Sequence, residues 1–246
     1  MPANHAPAGP NQHRRYAAAA ATGLVALLVW MTLRRLLDPL LAPCAAPLAV
    51  LAAALLLALP AALGHRTPIA AVLRAALRVA ALALALAWLD GAGFQAGASA
   101  ALAVGTLFLT VGAICLLAPP RAIAAVHALS LSALVALTLT PVWLAEGLAS
   151  MRRTDGFIDG LVAMNPLTLL AAGTGVDYLR SEWFYRYSPI GSLRYDYPEA
   201  LMLLSVWMAG VALLWVGVAL RRAATRRHPK GRAFHIPQSN EAEIAP

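Results

Sequence analysis

Phe157-Ile-Asp-Gly-Leu-Val-Ala-Met-Asn-Pro-Leu-Thr-Leu-Leu-Ala-Ala-Gly173 decides how many times this chain crosses a membrane. The run is apolar, but Asn165-Pro166 cuts it in the middle, and proline steers the residue before it away from the α region. Crossing a bilayer takes about 20 mostly apolar residues in one helix. Neither half is long enough to cross alone. The sequence predicts an interrupted helical pair that re-enters the membrane or lies at its surface. The alternative is a seventh span.

Working outward, apolar runs dominate. The hydrophobic fraction is 61%, only 12% of residues are charged, and mean hydropathy is +0.70. Soluble domains are nearer half apolar and a quarter charged, so composition alone implies an integral membrane protein. Six spans are predicted: Tyr16–Leu33, Pro39–Leu63, Ala75–Asp90, Ala98–Ala118, Ala122–Leu148 with a kink at Pro141, and Glu199–Leu220. The fold class expected is therefore all-α and polytopic, with the interrupted hairpin between helices five and six. Residues 1–15 form a polar, proline-rich arm, and 16–222 the transmembrane domain, within which 149–198 is an outer segment. A basic tail, 223–246, ends the chain. The apolar run from Tyr16 resembles a signal sequence, but its length and the spans after it predict an uncleaved first helix.

The approach to the third span carries Arg74 and Arg78, four residues apart and so on one helical face. A span starting at Pro68 would bury Arg78 about 15 Å along the helix, and charge deep in hydrocarbon is costly. A short amphipathic surface helix, Thr67–Arg74, followed by a span from Ala75 avoids that cost, with Arg78 snorkelling to the headgroups.

Charge sets the orientation. Arg221, Arg222, Arg226, Arg227, Lys230 and Arg232 follow the last span. This cluster reads as positive-inside, not as nucleic-acid binding, and it suits contact with anionic lipids. With both termini inside, Arg14, Arg15, Arg66 and Arg121 are also inside, whereas Arg34 and Arg35 fall outside against the rule. A seventh span would put the tail outside.

The outer segment holds five of the six tyrosines (Tyr178, Tyr185, Tyr187, Tyr195, Tyr197) with Trp183 and Phe184. Rings with one dry and one wet end collect at membrane–water interfaces. Five basic residues (Arg152, Arg153, Arg180, Arg186, Arg194) balance five acidic ones (Asp155, Asp159, Asp177, Glu182, Asp196). Interfacial anchoring or partner contact is expected, with a stacked, charged ligand site as the alternative. Glu146 and Asp90, near span ends, are expected to reach headgroups or pair with arginines. Cys44 and Cys115 read as small apolar helix residues. His65 and His127 both map to inner span ends, so a bis-imidazole haem or metal is conceivable beside plain interfacial imidazoles. There is no phosphate-binding loop, metalloprotease helix, nucleophile elbow or dinucleotide fingerprint, so neither an enzyme nor a bound cofactor is expected.

Six spans with both termini inside, an inner amphipathic helix before span three and Asn165-Pro166-Leu167-Thr168 soon after span five together resemble the permease subunit of ABC-2-type exporters. That resemblance implies a homodimer or heterodimer in a bacterial-type inner membrane and an ATP-binding subunit supplied in trans. Arg66, Arg74 and Arg78 would lie on the ATPase-coupling helix. Asn165, Pro166, Trp183, Tyr185 and Arg186 would belong to an outer partner or substrate-entry surface. The alternative is a non-transporting anchor or assembly subunit of an envelope or respiratory complex.

Overall fold

The computed structural model describes residues 10–143, 155–187 and 197–227. Among them all regular structure is helical. We number the helices α1 (Pro10–Leu36), α2 (Ala45–Ala53), α3 (Leu59–Leu63), α4 (Pro68–Leu89), α5 (Phe94–Leu117), α6 (Ile123–Thr138), α7 (Thr140–Trp143), α8 (Asp155–Met164), α9 (Pro166–Thr174), α10 (Glu182–Tyr187) and α11 (Ala200–Arg227). Six segments are long and apolar enough to span: Tyr16–Leu36, Ala42–Leu63, Pro68–Leu89, Phe94–Leu117, Pro120–Thr138 and Ala200–Thr225. This is an all-α, multi-pass membrane protein.

Three boundaries differ from expectation. The surface helix before span three is absent, because α4 runs unbroken for 22 residues from Pro68. Proline at the first helical position starts a helix well, since its missing N–H is one that would be unpaired there anyway. No further proline or glycine follows to break the helix. Span five ends at Thr138, before Pro141, which sits in the separate turn of α7. Its expected extension to Leu148 lies outside the described residues. Helix α1 begins at Pro10, so residues 10–15 of the supposed arm are already helical.

Small residues let the spans approach closely. Within a bilayer, helix association depends on van der Waals contact more than on the hydrophobic effect. Helices α4 and α5 pack most extensively against each other. Gly112 is the tight point: a Cβ there would lie 2.8 Å from Val72 Cγ1. Helix α5 is the centre of the bundle, touching α4, α6, α9 and α11. Phe108, Leu107, Val104 and Val111 on it are fully enclosed. Hydroxyls in the spans are satisfied locally, as Thr22, Ser130, Thr138 and Ser205 each donate to the carbonyl four residues earlier. That pattern removes the cost of an unpaired hydroxyl in lipid.

The second half of the hairpin is internal, while the first half keeps Phe157 and Met164 exposed. Helices α8 and α9 meet at 80°, and every residue from Pro166 to Gly173 is buried. Gly173 seats α9 against α5, where a Cβ would stand 3.1 Å from the Ser99 backbone. Gly175 closes the helix in the left-handed region at φ +75, which glycine adopts without steric cost.

Candidate functional site

Two places bring chemistry-bearing residues together: the Asn165 hinge and a groove beside α4.

At the hinge, Asn165 is 1% exposed and satisfies three backbone groups at once. Its Oδ1 accepts from Leu167 N at 2.8 Å, capping α9. Its Nδ2 donates to Leu137 O at 2.9 Å and to Thr138 O at 3.2 Å. Those two carbonyls belong to the last turn of α6 and lack the amide four residues on: Pro141 has none, and Val142 N donates to Leu139 O instead. One side chain therefore starts α9 and ends α6. Trp207 Nε1 donates to Ala163 O at 3.2 Å, closing the end of α8 from the last span. Below the hinge Thr168 Oγ1 donates to Tyr178 Oη at 3.2 Å. The Tyr178 ring meets Phe184 edge to face at 4.8 Å.

The groove opens between α1, the end of the second span and α4. It measures about 320 Å³. Its walls are mainly alanine, with Thr22, Gly23 and His65, and Arg74 and Arg78 reach it from α4. No acidic side chain lines it. His65 Nδ1 accepts from Thr67 N at 3.1 Å, which places the proton of the neutral ring on Nε2.

The residues predicted for a coupling helix therefore divide. Arg66 is exposed in the turn between spans, while Arg74 and Arg78 stand on the spanning helix beside the groove. The predicted outer surface divides as well. Asn165 and Pro166 are interior, a correction whose cause is the backbone they must satisfy. Arg186 is exposed and pairs with Glu182 at 2.7 Å. Trp183 and Tyr185 lie on α10, but their side chains fall outside the described set, as do Glu146, Arg152 and Arg153.

The histidines take separate roles. His127 Nε2 lies 3.0 Å from Leu55 O. A carbonyl only accepts, so Nε2 donates. That carbonyl is orphaned by the sequence. Residues Ala54–Ala58 form a π-turn in which Leu59 N donates to Ala54 O, five residues back. In that register Leu55 O would need an amide from residue 60, and Pro60 has none. His127 supplies the missing donor from another span. His127 thus serves the Leu55 carbonyl and His65 the Thr67 amide, two separate backbone groups. The described residues contain no cluster of three His, Cys, Asp or Glu suited to a metal. Pro60 inside an apolar run was the one signal that could have revealed this pairing.

Asp90 pairs with an arginine, one of the two expected fates. Its carboxylate takes Arg34 Nε at 2.9 Å and Trp30 Nε1 at 2.8 Å. Arg34, one of the two basic residues that offended the charge rule, is thereby matched by an acid at the same end of the bundle.

Comparison with protein families, with curated proteins and with solved structures finds no match to this chain.

Proposed function

We propose that this chain is the membrane-spanning subunit of an ABC-type exporter, energised by a separate ATPase and working as a dimer in a bacterial-type inner membrane. The observation that carries the reading is the Asn165 hinge. A broken helix pair is wedged into the bundle, tied to span five by Asn165 and to span six by Trp207. Such ties let a displacement of either span move the hairpin as one body, which an energised permease needs. In this reading both termini lie inside. The ATPase then contacts the exposed turn at Arg66 and the first turns of α4, in place of a separate coupling helix.

The test is co-purification of the tagged full-length chain from its native membrane. A nucleotide-binding subunit should accompany it, with ATP turnover that depends on this chain. Recovery of the chain with redox or assembly components and no ATPase would favour the anchor reading instead. One observation favours that second reading: no residue of α6 is buried within the chain, which leaves its sides for lipid or another subunit.

A further inference from the structure

We infer that the groove between α1, the end of the second span and α4 is a binding site for the headgroup and first methylenes of an anionic phospholipid. Arg74 and Arg78 are one turn apart on the same face of α4. Neither makes a hydrogen bond or ion pair within the described residues, in contrast to Arg34, Arg180 and Arg186, each of which has a carboxylate. Their position makes this costly. Arg78 lies ten residues into a spanning helix that begins at Pro68, about 15 Å along its axis. A guanidinium there must find an anion, draw in water or reach the surface.

The groove supplies the place for that anion. It runs beside both arginines, holds no competing carboxylate, and has about 320 Å³ of space, the lower end of the range for ligand sites. That volume suits a phosphate with a short length of alkyl chain, not a whole lipid. Its polar lining is Arg74 and Arg78 on α4, Thr22 on α1 and His65 after the second span. Ala19, Ala58 and Ala62 make the apolar wall. A guanidinium pair binds phosphate oxygens through charge-assisted hydrogen bonds. An apolar wall adjoining it favours an anion that carries hydrocarbon. An anionic phospholipid meets both requirements, and a free phosphate meets only the first. The site stands apart from the exporter reading and needs no ATPase.

The experiment uses the full-length chain in dodecyl maltoside micelles, with dioleoyl phosphatidylglycerol, dioleoyl phosphatidylcholine or inorganic phosphate added. Near ten times its Kd, phosphatidylglycerol should raise Tm by about 3–6 °C. Phosphatidylcholine and inorganic phosphate should leave it unchanged. Native mass spectrometry should show one retained phosphatidylglycerol. The charge variant R74Q/R78Q should lose both the shift and the adduct. So should G23L, which fills the groove and keeps the arginines. A Cβ at Gly23 meets nothing within 4 Å, so the substitution starts into open space. The tail variant R226Q/R227Q/K230Q/R232Q should keep both signals. An equal shift with phosphatidylcholine would overturn the proposal in favour of nonspecific annular lipid. A shift with inorganic phosphate alone would replace the lipid by a free anion. Persistence of the shift and adduct in G23L would place the lipid elsewhere.

Discussion

Arg34 Nε lies 2.9 Å from Asp90 Oδ1, joining the last turn of the first span to the end of the third. The guanidinium carbon also sits 5.5 Å from the centre of the Trp30 ring, while the Trp30 indole donates to the other carboxylate oxygen. Arg34 is half exposed and Asp90 is 9% exposed. The ion pair itself is therefore screened, and its coupling should be about 0.5–1 kcal/mol. A double-mutant cycle of R34A and D90A, read by thermal unfolding in nanodiscs, measures it. D90A alone should cost more, about 1–3 kcal/mol, because it also strands the Trp30 N–H. A D90A cost no larger than that of R34A would contradict this division.

The Pro60–His127 relation makes a sharper test, because one residue creates the need that another meets. H127A should destabilise the chain by about 1–3 kcal/mol, the cost of an unpaired buried carbonyl. In a P60A background, residue 60 regains its amide and Leu55 O no longer depends on the histidine. There H127A should cost less than half as much. Equal costs in the two backgrounds would mean that His127 acts through packing alone.

At Asn165, removal and replacement should separate the two halves of its role. N165A loses the cap and both donors, and should cost about 2–4 kcal/mol. N165D keeps the acceptor that caps α9, but sets a carboxylate against the Leu137 and Thr138 carbonyls. It should therefore be no better than alanine. Hydrogen exchange should localise the damage to the end of α6 and to α9. Damage spread evenly over the bundle would argue against a hinge.

Two glycines report close approach. G173A puts a methyl 3.1 Å from the Ser99 backbone. Backbone yields little, so a cost of about 1–3 kcal/mol is expected. G112A meets the end of a side chain, Val72 Cγ1. Shortening that partner in G112A/V72A should recover most of the loss, whereas no single side-chain truncation should rescue G173A. Thermal unfolding of these three variants is sufficient to decide.

Legibility followed the range of each interaction. Span number and the broken hairpin were readable, because bilayer thickness imposes a local rule on apolar length and Asn165-Pro166 is a local break. The surface helix before α4 was not, since its expectation came from the isolated cost of Arg78. The helix continues instead beside a groove formed by α1 and the second span, which no local pattern announces. Asn165 was picked out by its position before a proline, but its buried location depends on the carbonyls of Leu137 and Thr138, almost thirty residues earlier.

The sequence by itself determined that this is a membrane protein of six spans with an interrupted pair before the last. Hydrocarbon demands long apolar helices and tolerates broken ones only when they are enclosed. Only the tertiary structure decided which polar groups answer one another: Arg34 with Asp90, His127 with Leu55, Asn165 with the end of α6. Those partners lie between 27 and 72 residues apart. In lipid each orphaned group must find whichever donor or acceptor the packing brings near, and packing follows from how the small residues let the helices meet.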